Sequence, residues 1–209
     1  MENKKLNKIG RGWQYTIYDK GPRVIKIPNS IQTVRKIMLR GASPKTISNK
    51  KKFESALENL IKDRQKSLRW LQKSGQDLEI LGNPLIKKNK IEQDNVVTLG
   101  QILKKSENGE RYIRGFIELI FECWKNGFSE KVYNLTINNG VTKDGKVILI
   151  DFGEITFEKK KVIKAIKTRR WLRSWSYRKD LPLRIKRYYA KQMEKHITLK
   201  NLNKYWKNK

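Results

Sequence analysis

Hydrophobic and polar positions along this chain change period several times. Leu6 to Ile9 and Tyr15 to Asp19 predict two strands around Gly10-Arg11-Gly12-Trp13-Gln14, and Lys20-Gly21-Pro22 turns into a third, Arg23 to Ile27. Within 29–47, a short apolar patch (Val34, Ile37, Met38, Leu39) predicts a loop, a short helix and another loop. From Ser48 to Lys73 the apolar positions Phe53, Leu57, Leu60/Ile61, Leu68 and Leu71 recur at helical spacing, which predicts a long amphipathic helix. Leu78 to Ile86 and Ile91 to Leu99 predict two more strands joined by Lys87-Lys88-Asn89-Lys90. A second strong helix runs from Glu110 to Asn126 on Ile113, Phe116/Ile117, Ile120, Phe121 and Trp124, with Gly127 as its stop. After an Asp144-Gly145 turn, Val147 to Ile150 has the composition of a short buried strand. The remainder predicts a basic helix from Glu158 to Tyr177, a second with Asp180 as N-cap and Pro182 in its first turn, and a short third carrying Leu199, Leu202 and Trp206. The class is α+β.

Charge sharpens this picture. Of 209 residues, 49 are Lys or Arg and 20 are Asp or Glu, a formal net charge of +29. Residues 159–209 hold 19 Lys and Arg against only Asp180 and Glu194, a local +17. So much positive charge implies a polyanionic partner, either nucleic acid, an anionic surface or a phosphorylated ligand, against the plainer reading of a solvated lysine-rich surface. Arg169-Arg170-Trp171-Leu172-Arg173-Ser174-Trp175-Ser176-Tyr177-Arg178 interleaves guanidinium groups with aromatics, which suits phosphate contact with base stacking; in the plainer reading Trp171, Leu172 and Trp175 pack inward. A single cysteine, Cys123, excludes an internal disulfide and points to a reducing cytoplasm. With no apolar segment long enough to span a bilayer, a cytoplasmic protein without a transmembrane segment is expected.

The chemistry gathers near mid-chain. Asn138-Asn139 and Asp151 stand on either side of a predicted hairpin, where an amide and a carboxylate oxygen can meet at one hard cation such as Mg²⁺. The strand ends in Asp151-Phe152-Gly153. Near the N-terminus, glycines at Gly10 and Gly12 let backbone N–H groups approach phosphate oxygens without an intervening Cβ.

Taken in order, these segments resemble the protein-kinase-like family, including the bacterial eukaryotic-like kinases and aminoglycoside phosphotransferases. Gly10-x-Gly12-x-x-Tyr15 is similar to its glycine-rich loop with Tyr15 for the last glycine, Val24-Ile25-Lys26 to its third-strand lysine motif, and Asp151-Phe152-Gly153 to its metal-binding tripeptide. The resemblance covers about residues 6–157. It implies a two-lobed fold: an N-lobe over 1–99 with a five-stranded antiparallel sheet and one long helix, a reduced, mostly helical C-lobe over 100–157 with the metal hairpin, and a basic helical extension over 158–209. The cofactors implied are ATP and Mg²⁺. Gly10 and Gly12 would cover the phosphates, Lys26 would pair with them, and Glu58 (or Glu54) of the long helix would pair with Lys26. Asn138 or Asn139 with Asp151 would hold the metal.

Two departures qualify the resemblance. The family places an Asp in its catalytic loop to accept the proton of the attacking hydroxyl; here Asn134-Leu135 aligns with that Asp-Leu, and Tyr133 is the neighbouring candidate. An amide orients a hydroxyl but is no general base. Glu130 and Glu154, the nearest other carboxylates, match no motif position. After Gly153 no activation segment follows. The expected function is phosphoryl transfer from ATP to a hydroxyl of a small molecule or protein, with an unidentified acceptor. The alternative is a catalytically impaired kinase-like module that binds nucleic acid or another polyanion through its tail. A basic helical nucleic-acid binder is a third reading, and it requires the β-rich first third to be coincidence.

Overall fold

The computed structural model describes residues 6–41, 48–74, 78–106 and 108–207. It divides into two units: the chain through Asp77 with Asn83–Asn95, and Leu78–Gly82 with Val96–Lys209.

In the first unit, β1 (Asn7–Arg11), β2 (Tyr15–Asp19), β3 (Arg23–Pro28), β4 (Leu85–Lys87) and β5 (Lys90–Asp94) form one antiparallel sheet in the order β1-β2-β3-β5-β4. Its register places Lys26 between Ile17 and Ile91, and Val24 opposite Gln93. Val24, Lys26, Ile91 and Gln93 are all buried, so the period-2 pattern turns one face of β3 and β5 inward. The β4–β5 turn has Lys88 and Asn89 both at positive φ, the geometry that fits a two-residue hairpin to the twist of its strands. Helix α1 (Ile31–Gly41) packs Val34 and Met38 against Phe53 and Leu57 of α2 (Lys50–Ser74), with Ala56, Leu60 and Ile61 beside them.

Two expected strands are shorter than their apolar runs. Leu78 to Ile86 is a 3-10 turn, Glu79–Leu81, then β4; Gly82 at φ 65° closes the turn, and fully buried Leu81 belongs to the second unit. Ile91 to Leu99 breaks at Asn95, where β5 ends. Val97–Thr98 forms β6 in another sheet. Thr98 then caps α3 (Leu99–Lys105) through a reciprocal box with Gln101. Gly100 has a packing reason, because a Cβ there would lie 2.8 Å from the Thr136 carbonyl oxygen.

The second unit is built around α4 (Gly109–Lys125), whose Ile113, Phe116, Ile117, Ile120, Cys123 and Trp124 are buried. Against it lie β7 (Ser129–Glu130) and β9 (Val147–Leu149); β10 (Ile155–Thr156) pairs with β7, β8 (Asn139–Val141) pairs with β9, and the one-turn α5 (Leu135–Asn138) packs on β8. The basic segment completes this core. After α6 (Lys159–Lys167), Arg169 at φ 46° ends the helix expected to reach Tyr177. The chain continues as a 3-10 turn, Arg170–Arg173, and a π turn, Ser176–Asp180, before α7 (Leu183–His196) and α8 (Leu199–Tyr205). Trp171, Tyr189, Met193 and Leu202 are buried; Trp175 is 57% exposed. Asp180 is not the N-cap of α7: Pro182 stands there, and the Asp180 carboxylate bonds Thr136 and Trp175. Among the described residues no helix is long and apolar enough to cross a membrane.

Candidate functional site

In the first unit the β1–β2 turn is pinned from beneath. Gly12 N donates to Tyr15 O at 2.8 Å, and the buried Asn29 donates from Nδ2 to Gly12 O at 2.9 Å and Trp13 O at 3.1 Å. Asn29 Oδ1 accepts from Thr16 Oγ1 at 2.7 Å, and Arg64 of α2 donates to Asn29 O at 2.9 Å. The expectation singled out Gly10 and Gly12 but neither Asn29 nor Arg64; no local pattern marks a single Asn after a strand. Neither glycine has positive φ, and a Cβ on Gly12 would meet only Tyr15 O, at 3.9 Å. Internal packing does not demand these glycines, yet both backbone groups of Gly12 are already bonded, its N–H to Tyr15 and its C=O to Asn29.

Lys26 is 6% exposed in mid-sheet. Glu58 does not reach inward to it: its carboxylate is 65% exposed and pairs with Lys62 at 2.7 Å, one turn along α2. Glu58 follows Leu57, about 100° round the helix from the buried stripe, and so faces water. Glu54 is held by Arg35 of α1, which donates at 2.5 and 2.8 Å and keeps the carboxyl below the usual glutamate range.

In the second unit, the hairpin brings the expected metal residues to one end of β8–β9. Asn138 O accepts from Ile150 N at 2.8 Å and Asp151 N at 3.1 Å. Asn139 pairs with Leu149, the last residue of β9; Asp151 lies two residues beyond, where the two consecutive N–H groups on Asn138 O form a bulge that interrupts the alternation. The two amides then differ. Asn138 donates from Nδ2 to Glu130 Oε1 at 2.7 Å. Asn139, fully buried, donates to Leu135 O at 3.2 Å and leaves Oδ1 without a hydrogen-bond partner. Asp151 Oδ1 accepts from Gly153 N at 3.1 Å. Among the described residues no group of three or more His, Cys, Asp or Glu could hold a metal ion. Mg²⁺ does not need one, since it keeps several waters and takes only one or two carboxylates beside substrate phosphates. An orphaned buried amide oxygen and a carboxylate at the same end of the hairpin fit such an ion.

Glu130, which no motif singled out, organises this end. Its Oε1 accepts from Asn134 N at 2.6 Å and from Asn138 Nδ2, tying the loop before α5 to that helix's last residue. Burial pushes its carboxyl up to about 8; the two donated bonds oppose that, and Glu154 and Asp151 add to it. Tyr133 is fully buried at φ 51°, edge-on to Trp171 at 6.1 Å, and this left-handed residue turns the chain so that Asn134 N meets Glu130. Its phenol, raised by burial, is no base. The Cys123 thiol is likewise pushed up by burial, so its nucleophilic form is suppressed.

Asn134 itself is bound to the basic segment. Its Oδ1 accepts from Ser176 N at 3.2 Å and Ser176 Oγ at 2.9 Å. Thr136 donates from N to Ser176 Oγ at 2.9 Å and from Oγ1 to Asp180 Oδ2 at 2.6 Å, while Trp175 Nε1 donates to Asp180 Oδ1 at 3.1 Å. These partners lie about forty residues away in sequence, beyond the reach of any spacing rule. A groove of about 430 Å³ over α3, lined by Val97, Gln101, Ile102, Lys105, Ser106 and Tyr112, shares no residue with this hairpin. No protein-family model matches the chain, and no curated protein matches it.

Proposed function

We propose that the chain binds a magnesium–ATP complex in the protein-kinase-like manner and transfers the γ-phosphoryl group to a hydroxyl of a small molecule or protein. The observation that carries this reading is Asn139 Oδ1, buried without a hydrogen-bond partner among the described residues at the end of the hairpin from which Asp151 follows. A buried polar atom without a partner costs free energy on the order of 1–3 kcal/mol, a cost that a bound cation offsets. Asn139 and Asp151 are therefore the proposed ligands, and Asn138 holds the loop through Glu130. Mg²⁺ supplies charge neutralisation on the phosphate oxygens when bound. By the resemblance, Lys26 would pair with the α- and β-phosphates and the Gly10–Gly12 turn would cover them. Glu58 takes no part, since Lys62 holds it in water.

One observation favours a second reading, an impaired kinase-like module that engages a polyanion through 159–209: the Asn134 oxygen is committed to Ser176, and no carboxylate stands at the base position. Melting with and without nucleotide tests the first reading. At a hundredfold excess of ligand over Kd, Mg·ATP should add about 2.7 kcal/mol of stability, roughly 5–10 °C in Tm for a chain of this size. That shift should vanish with EDTA, in Lys26→Ala and in Asp151→Ala. A flat response removes nucleotide binding altogether. Labelled-phosphate transfer or release, compared with the same variants, separates the two readings.

A further inference from the structure

The structure assigns Asn134 a polarity opposite to that of a base: we infer that it presents its Nδ2 amine to an oxygen of the terminal phosphate of bound ATP, and the inference rests on the magnesium–nucleotide reading above. The amide's orientation is settled by chemistry. Ser176 N–H can only donate, and it lies 3.2 Å from one end of the Asn134 amide, so that end is the oxygen. Ser176 Oγ, 2.9 Å away, meets the same atom. Ser176 is fully buried, and its Oγ accepts in turn from Thr136 N at 2.9 Å. The oxygen of Asn134 is thus consumed inside the protein. Its Nδ2 bonds no acceptor among the described residues, and the side chain is half-exposed.

That amine stands within one helical turn of the proposed cation ligands. Asn134 O accepts from Asn138 N at 3.0 Å, Asn134 N shares Glu130 Oε1 with Asn138, and Leu135 O accepts from Asn139 Nδ2. A cation beside an outward N–H donor is an environment for phosphate oxygens, one drawn to the metal and another to the amide. Asn134 itself offers a nucleophilic hydroxyl no acceptor, since its oxygen is held by Ser176. Asp180 does not substitute, because Thr136 occupies one of its oxygens and Trp175 the other. Ser176 is then a positioning residue, supplied by the basic segment, that holds the amide donor-outward.

An isosteric change reverses this polarity. Asn134→Asp keeps one oxygen for Ser176 and exposes a second, anionic one in place of the amine. Equilibrium titration of the full chain with Mg·ATP and with Mg·ADP reads the outcome. Asn134→Asp should weaken ATP binding about tenfold or more and Asn134→Ala about three- to tenfold, with ADP within about twofold in both. Ser176→Ala should lower the ATP-over-ADP preference about two- to fivefold at unchanged ADP affinity, a selective effect that general loosening of the fold does not produce. Equal losses of ATP and ADP in the Asn134 variants, or undiminished ATP binding in Asn134→Asp, overturn the inference and leave the nucleotide reading standing. A wild-type chain that binds neither nucleotide removes both.

Discussion

Glu130 shows how much a single buried side chain decides. One of its oxygens receives two N–H donors, so an acceptor of the same shape serves as well as the acid. Glu130→Gln should therefore keep the loop, whereas Glu130→Ala strands two donors and should cost about 2–4 kcal/mol in urea unfolding. The pH dependence has a definite sign. A carboxyl raised from 4.5 to about 8 in the folded chain stays protonated there while the unfolded chain ionises. Folding stability attributable to Glu130 is thus complete below about pH 4.5, falls as pH rises, and levels off above about pH 8. Cys123, Tyr133 and Tyr189 all sense this charge, and Asp151 and Glu154 raise the Glu130 carboxyl further. In metal-free buffer, Glu130→Gln should gain on the wild type between pH 5 and pH 8, by up to a few kcal/mol by linkage. Parallel stability curves for the two proteins would refute the assignment.

Among elements, the β1–β2 turn depends on a residue outside it. Asn29 satisfies two carbonyls and one hydroxyl of the turn, and Arg64 holds Asn29's own carbonyl from α2. Asn29→Asp keeps the Thr16 bond but loses both donors, so it should destabilise the chain by about 1–3 kcal/mol and speed amide exchange at Gly12. Unchanged exchange there would show the turn to be self-supporting. The long helix, the α4 helix and the strands β2, β3 and β9 were legible in the sequence, because the helices bury a stripe at helical spacing, β3 alternates, and β2 and β9 are short aliphatic or aromatic runs bounded by turns. The segments at 78–86, 91–99 and 158–177 were not. Their apolar runs are divided between different layers, and the breaks fall at Gly82, Asn95 and Arg169, where backbone geometry outweighs hydrophobic pattern.

At the scale of the whole molecule, the basic segment is both core and surface. Trp171, Tyr189, Met193 and Leu202 are buried in the second unit, so removing 159–209 would unfold it rather than isolate a tail. Charge reversal is the usable probe of a polyanion face. Lys164, Lys167 and Arg173 are exposed. If they contact phosphates, replacing all three by Glu should make the log–log salt dependence of oligonucleotide binding shallower by about one unit per lost contact. An unchanged slope would assign the +29 net charge to solvation alone.

Composition and periodicity alone determined the α+β class, the two principal helices, the mid-chain hairpin with its Asn and Asp, and the excess of positive charge, since all of these are local or additive properties of the chain. Tertiary structure decided which amide keeps an unclaimed oxygen, which glutamate is buried, and that Ser176 and Asp180 lie against the loop around Asn134. Those outcomes depend on hydrogen-bond partners tens of residues apart, and a buried donor or acceptor is satisfied by whatever the packed core brings beside it, not by its neighbours in sequence.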